Sequence, residues 1–307
     1  MSGLYSSNRT PHEKRVQLRE GLTSGTIQRL PGAFSPLVAR AIQEANFDGV
    51  YVSGAVVAAD LALPDIGLTT LTEVAGRARQ IARSTDLPVL VDADTGFGEP
   101  MSAARSISEF EDAGIAGFHL EDQVNPKRCG HLDGKEVVPT DLMVRRIKAA
   151  VNERRDSAFV ICARTDAAGV EGIDAAIDRA KAYADAGADL IFTEALHTPA
   201  DFEKFRAAVD TPLLANMTEF GKTELLSAQT LNDLGYNAVI YPVTTLRIAM
   251  GQVEEALKDI AETGTQTGWV DRMQHRARLY ELLRYEEYNA FDQEVFTYSK
   301  DAYSPKF

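Results

Sequence analysis

Cysteine is nearly absent from this 307-residue chain. It has two, Cys129 and Cys162, too few for a disulfide framework, and a reducing compartment is the expectation. A basic excess is missing as well. The net charge of −13 and isoelectric point near 4.9 exclude the positive footprint that nucleic acid or an anionic membrane requires. No apolar run is long enough to span a bilayer. Glu13, Lys14, Arg15, Arg19 and Glu20 occupy the stretch where a secretory signal would be apolar, so none is expected. Neither G-x-G-x-x-G nor a phosphate loop follows any apolar run, which weakens a nucleotide-binding reading. These absences leave a soluble, cytoplasmic protein with no membrane or nucleic-acid partner as the expectation.

What is present is one rhythm, repeated. A helix-like segment ends near glycine, a short apolar run follows, and the run ends in polar residues. The runs read as strands are Ile27–Pro31, Gly49–Gly54, Pro88–Asp94, Gly117–Asp122, Ala158–Arg164, Asp189–Glu194, Thr211–Asn216 and Asn237–Pro242. Four share a lead-in: NFDGVYVSG, DAGIAGFHLED, DAGADLIFTEA and LGYNAVIYP. Amphipathic stretches such as Met101–Ala113, Leu142–Arg154, Ile173–Ala186 and Leu225–Leu234 lie between. Alternating strands and helices imply parallel strands with helical crossovers, and about eight units over ~250 residues predict an α/β fold, a closed (β/α)8 TIM-type barrel. The whole of 1–307 reads as a single barrel domain, with 269–307 as a C-terminal helical arm. From Trp269 to Phe296 that arm carries Tyr280, Leu283, Tyr285, Tyr288, Phe291 and Phe296 on a long helical pattern. It either packs on its own barrel or exchanges with a neighbouring subunit, since surplus apolar area marks interfaces.

Successive side chains of a strand face opposite ways. Leu90, Asp92 and Asp94 therefore share a face, and two carboxylates ending an apolar strand are not core material: buried unpaired, each would cost several kcal/mol. If Leu90 faces the barrel interior, both aspartates reach the mouth, where barrel active sites lie. The same parity groups Tyr51 with Ser53, His119 with Glu121, Arg164 with Cys162, Glu194 with Phe192, and Asn216 and Thr218 with Leu214. Asp92 and Asp94, with Glu121 from the next strand, form an oxygen-only hard-cation site suited to Mg2+, for which Mn2+ could substitute. A D-x-D alone is usually a solvated turn; here it ends a barrel strand and precedes the glycine-rich Thr95-Gly96-Phe97-Gly98.

Arg128, His131, Arg164, Arg247 and Arg276 are the candidates for binding carboxylates, Arg164 foremost because its strand position aims it inward. Cys129 sits in Lys127-Arg128-Cys129-Gly130-His131, where two cations and an imidazole favour a reactive thiol, a nucleophile or proton donor. Cys162, between Ile161 and Ala163, reads as inert core.

That K-R-C-G-H string is where a family resemblance enters. It is joined by Tyr51-Val52-Ser53-Gly54, Leu63-Pro64-Asp65, Asp92-Ala93-Asp94-Thr95-Gly96-Phe97-Gly98, Glu121-Asp122-Gln123, Ala163-Arg164-Thr165-Asp166-Ala167 and Asn216-Met217-Thr218-Glu219-Phe220-Gly221. Together they resemble the isocitrate lyase/phosphoenolpyruvate mutase superfamily over most of the chain, and the cysteine marks its lyase branch. The resemblance implies Mg2+ on Asp92 and Asp94, with Glu121 reached through water. It implies that Ser53, Gly54 and Ala55 hold a pyruvate carboxylate, and that Cys129, Gly130, Arg164, Glu194, Asn216, Met217, Thr218, Arg247 and Arg276 complete the substrate site. It further implies a homotetramer with swapped C-terminal helices. One departure shows: Ser53-Gly54-Ala55 stands where the family usually reads Ser-Gly-Gly, and a backbone contact survives Gly→Ala if φ stays negative.

The reaction so implied is retro-aldol cleavage of a small tricarboxylate, 2-methylisocitrate, to pyruvate and succinate in propionate catabolism. Tyr51 is the candidate base and Cys129 the acid, with Arg164 stabilising charge. Isocitrate cleavage is an alternative; a methyl pocket is expected near Pro242 and Leu132, and one methyl discriminates by only ~1–3 kcal/mol. Oxaloacetate or phosphonopyruvate chemistry is disfavoured by Cys129. A non-catalytic polycarboxylate-binding barrel is the remaining reading.

Overall fold

The computed structural model describes residue 4, residues 6–128 and residues 134–296. Cys129, Gly130, His131 and Leu132, expected at the substrate and its methyl pocket, lie outside the described residues. Every run read as a strand contains one: β1 Gln28–Pro31, β2 Val50–Val52, β3 Val89–Asp92, β4 Gly117–Glu121, β5 Val160–Thr165, β6 Leu190–Thr193, β7 Leu213–Asn216 and β8 Ala238–Tyr241. All pair in parallel, in the order β1-β8-β7-β6-β5-β4-β3-β2. Between β1 and β2 the ring closes through a single bridge, Gly32 to Tyr51, where Ala33 N–H donates to Tyr51 O at 2.9 Å. The fold is the (β/α)8 barrel expected from the rhythm.

Strand parity divides the interior into two cores. Leu30, Tyr51, Leu90, Val160, Cys162, Leu190, Phe192, Leu214 and Ile240 fill the lumen. Their alternates, among them Val52, Val91, Phe118, Ile161, Ile191 and Val239, join the helices in an outer layer. Local chemistry starts the helices. Thr70 and Glu73 form a capping box at Leu71–Ser84, and Pro36 and Pro100 open their helices at a position where no N–H is needed.

One element escaped the strand rhythm. Helix Pro11–Leu22, with its own Thr10/Glu13 capping box, plugs the barrel's N-terminal end by sending Leu18 and Leu22 into the lumen core. Arg15 donates to Ile115 O (3.0 Å) and Glu111 O (2.8 Å), satisfying carbonyls that precede β4. The opposite end is thereby left as the mouth.

The arm differs from the single helical pattern expected. A 3-10 turn, Thr267–Arg272, is followed by helices Arg276–Leu282 and Tyr285–Phe296, broken where Arg284 takes φ +58°. Ahead of it, the twenty-residue helix Thr244–Thr263 buries no residue and exposes Ile248, Met250, Val253 and Leu257. Among the described residues no helix is long and apolar enough to cross a membrane.

Candidate active site

A cavity of about 130 Å³ opens at the C-terminal ends of the strands. Tyr51, Ser53, Ala55, Asp92, Arg164, Glu194, Asn216, Thr218 and Arg247 line it, so expected residues from six chain segments meet there. Phe192, Ile240, Pro242 and Val243 give it one apolar wall, and Asp65, Lys127 and Arg128 also face it.

The two aspartates reach this floor by different routes. Asp92 ends β3 on the lumen face, as parity requires. Asp94 does not continue the alternation: its φ is +46°, in the left-handed region that aspartate tolerates better than most residues. The pair nevertheless converges. Asp92 Oδ2 and Asp94 Oδ1 lie 3.0 and 3.2 Å from one point, the place where a Cβ on residue 54 would stand, and residue 54 is glycine. Gly54 N–H donates to Asp92 Oδ2 at 3.1 Å, and Asp94 N–H donates to Asp92 Oδ1 at 2.9 Å. Gly54 thus supports Asp92 in this arrangement instead of offering its N–H to a carboxylate ligand.

Positive charge is held tightly around them. The buried Lys127 ammonium sits 2.5 Å from Asp65 Oδ1 and 2.7 Å from Asp94 Oδ1. Arg164 grips Asp166 with two hydrogen bonds, Nε to Oδ2 at 2.8 Å and Nη2 to Oδ1 at 3.0 Å. It also lies 3.2 Å from Glu121 and 3.3 Å from Glu194, with its guanidinium over the Phe192 ring. Asp166 takes Lys135 as a second partner at 2.9 Å. Behind it, fully buried Asp122 accepts from Asp166 N–H, Thr165 Oγ1 and Tyr183 OH.

Burial pushes the Asp94 carboxyl up to about 6, helped by the adjacent Asp92 charge. Glu121 is pushed well above the usual carboxylate range by burial, and its Oε1 has no hydrogen-bond partner among the described residues. Around this floor Asp65, Asp92, Asp94, Glu121, Asp166 and Glu194 face Lys127, Arg128, Lys135, Arg164 and Arg247, so the cations are largely matched by carboxylates and a bound divalent cation would favour a polyanionic ligand.

Tyr51 OH and His119 Nε2 are 2.7 Å apart, both fully buried. Burial lowers His119 to about 4 and drives Tyr51 well above the ordinary phenol range. Burial opposes ionisation of that phenol, so a base role for Tyr51 calls for His119 Nε2 to take the phenol's own proton. His119, which parity placed on this face without assigning it work, is the residue that fixes the Tyr51 hydroxyl.

Other expected residues stand elsewhere. The Met217 side chain is buried in the outer core layer, where its sulfur accepts from Leu226 N–H, because it alternates with Asn216 and Thr218. Arg276 is exposed at the start of helix 276–282 and does not line the cavity of its own barrel. Ala55 does have negative φ, so the departure from Ser-Gly-Gly leaves its backbone in ordinary helical form. Arg247 lines the rim, donating to Thr218 Oγ1 at 3.1 Å and pairing with Glu219 at 2.7 Å. Lys127 was legible only as a charge beside a thiol, and Asp166 was passed over. Its spacing of two from Arg164 was the signal that could have placed it on the same face.

The chain is also similar to known proteins. The family model described as phosphoenolpyruvate phosphomutase matches residues 18–261. The chain is 82% identical over its full length to a protein of Corynebacterium glutamicum named probable 2-methylisocitrate lyase 2, itself covered in full. The solved structure of 2,3-dimethylmalate lyase, a PEP mutase/isocitrate lyase superfamily member, superimposes with a TM-score of 0.87 at 33% identity, covering 97% of this chain and 99% of that one. Phosphonopyruvate hydrolase, solved with oxalate and Mg2+, does so at 0.84 and 28% identity, covering 94% and 100%. The chain therefore belongs to the phosphoenolpyruvate mutase/isocitrate lyase superfamily of enzymes, and within it to the family of the 2-methylisocitrate lyases.

Proposed function

We propose that the chain is a Mg2+-dependent carbon–carbon lyase that cleaves 2-methylisocitrate to pyruvate and succinate. The observation that carries this reading is the convergence of Asp92 and Asp94 on the side-chain-free face of Gly54, at the floor of a cavity walled by hydroxyl, amide and guanidinium donors. The donor set fits the ion. Mg2+ takes one or two protein carboxylates and keeps several waters, so the lack of any tighter cluster of three His, Cys, Asp or Glu among the described residues is no obstacle. Asp92 and Asp94 would hold it, with the unpartnered Oε1 of Glu121 accepting from one of its waters. Bound there, the cation would supply Lewis-acid stabilisation of the negative charge that the substrate's tertiary hydroxyl oxygen carries once its proton has left, ahead of carbon–carbon cleavage.

The chain's own groups do the rest. Ser53 hydroxyl and Ala55 N–H, at a helix start where amides lack helical acceptors, hold the pyruvate carboxylate. Arg164, Asn216, Thr218 and Arg247 orient the succinate carboxylates, with Glu194 fixing Asn216 Nδ2 at 3.2 Å. The Tyr51 hydroxyl, held by His119, steadies the reacting oxygen. The hydroxyl oxygen gives its proton to Tyr51 as the Tyr51 hydroxyl passes its own to His119 Nε2, and the succinate carbanion takes the Cys129 thiol proton, which the thiolate recovers from solvent after product release. Phe192, Ile240, Pro242 and Val243 receive the methyl group; because a methyl is worth only ~1–3 kcal/mol, some turnover of isocitrate is expected.

The assembly is proposed as a homotetramer in the cytoplasm. The unburied helix 244–263 extends toward a neighbour, and Arg276 serves a neighbouring subunit's cavity. A coupled assay for pyruvate tests the whole reading. Release from 2-methylisocitrate that exceeds release from isocitrate, and that stops with EDTA, supports it; no release, or release indifferent to EDTA, overturns it.

A further inference from the structure

A second cavity, of about 470 Å³, lies beside the first, lined by Gly67, Thr69, Thr70, Leu71, Thr72, Asp94, Thr95, Phe97, Gly98, Ser102, Arg105 and Asn125. It belongs to the gap between the chain following Asp65 and the glycine-rich turn after β3. Nothing in the reaction described above uses it. Its relation to the first cavity is set by the aspartate pair: Asp92 lines the mouth, Asp94 lines the neighbour. The positive φ at Asp94 is what turns the second carboxylate out of strand alternation and into this partition. Asp94 Oδ1 still lies within 3.2 Å of the Gly54 cradle point, so one carboxylate faces both spaces.

We infer that this second cavity is the route by which a hydrated divalent cation reaches and leaves the Asp92–Asp94 site, separate from the mouth that admits substrate. The inference rests on the proposed cation site. Three features of the cavity support it. Its polar lining is dominated by neutral oxygen donors, the hydroxyls of Thr69, Thr70, Thr72, Thr95 and Ser102, which suit the outer face of a hydrated hard cation. It is roomy enough: six waters at ~30 Å³ each need about 180 Å³. And among the described residues Asp94, at its inner wall, is the one carboxylate lining it. Arg105, the one cation among the described lining residues, is turned to Glu109 at 3.4 Å. By contrast, the mouth is narrow, is shared with Arg128, Arg164 and Arg247, and is blocked once a polycarboxylate occupies it.

The test uses the full-length enzyme loaded with Mn2+ and mixed with excess chelator in a stopped-flow instrument, following metal transfer to the chelator. Ser102→Phe and, separately, Thr72→Phe plug the second cavity from a partly buried and an exposed helix position. Each is expected to slow both release and uptake of Mn2+ by about tenfold, the response to a barrier raised by about 1.4 kcal/mol, while the equilibrium Kd changes less than twofold. In the wild type, saturating succinate at the mouth is expected to leave the release rate unchanged. Plugged variants that exchange Mn2+ at the wild-type rate, or Mn2+ trapped by succinate, would overturn the route while leaving the cation site intact. Failure of the wild type to bind Mn2+ would overturn both.

Discussion

Gly54→Ala separates the cation site from the stability of the fold. An added Cβ would stand 3.0 Å from Asp92 Oδ2 and 3.2 Å from Asp94 Oδ1, in the space the two oxygens face. Mg2+ needs its ligands at about 2.0–2.1 Å, so an ion near both oxygens and a methyl group cannot share that space. The fold should hardly notice. Gly54 opens helix 54–60 without positive φ, and alanine there is favoured over glycine by roughly 0.4–1 kcal/mol, which offsets the few tenths of an ångström that Asp92 must yield. Apparent Mg2+ affinity should fall by about a hundredfold or more, which is about 2.7 kcal/mol. Isothermal titration with Mg2+, paired with thermal melts with and without the ion, reads both. Wild type should gain stability with Mg2+ by mass action, whereas the variant should melt within a few degrees of EDTA-treated wild type and gain nothing. A variant that binds Mg2+ within threefold of wild type would refute the reasoning about the cradle.

Three further outcomes follow from other contacts. Arg164→Lys keeps the charge but loses the fork that holds Asp166; steady-state kinetics should show kcat/KM lower by about tenfold to a hundredfold, the cost of one charged hydrogen bond at ~1.5–3 kcal/mol. At Asp156 burial raises the carboxyl pKa, but hydrogen bonds from Arg15 and His12 outweigh it and hold the group at about 2, against 3.8 ordinarily. The folded state thus binds this proton less readily than the unfolded chain. Its contribution, about 2 kcal/mol, is complete above pH 3.8 and disappears as pH falls toward 2. Asp156→Asn should lower stability at pH 7 and flatten the acid limb of a denaturant-midpoint profile, and an unchanged limb would remove the pair from the account. Ile248→Asp with Leu257→Asp, both on the unburied helix 244–263, should reduce the oligomer's mass by light scattering while the circular dichroism of the barrel stays intact.

The barrel was readable in sequence because parallel strands buried on both faces leave short apolar runs, and because lumen parity carries straight through to their polar ends. Tyr51, Arg164, Glu194 and Asn216 reached the cavity on that parity alone. It failed where a backbone left the pleat. Asp94 converges with Asp92 through a left-handed φ that alternation does not foresee, and Met217 obeys alternation so well that its side chain points away from the cavity. Helix 11–22 was missed although Thr10 and Glu13 announce it, because its apolar face is only Leu18 and Leu22 against many charges. The partners of the cations were hidden for a different reason. That Lys127 would choose Asp65 and Asp94 depends on distances across the barrel mouth which no local pattern encodes. The arm's break at Arg284 was equally unmarked, since neither glycine nor proline stands there.

Asp92 and Asp94 sharing one divalent ion is the central claim, and direct titration of Mn2+ into wild type and Asp92→Asn, followed by the loss of free Mn2+ signal in electron paramagnetic resonance, tests it most closely. One tight site per chain in the wild type, abolished by the substitution, is the predicted result. Equal binding by both proteins, or none by the wild type, would contradict it.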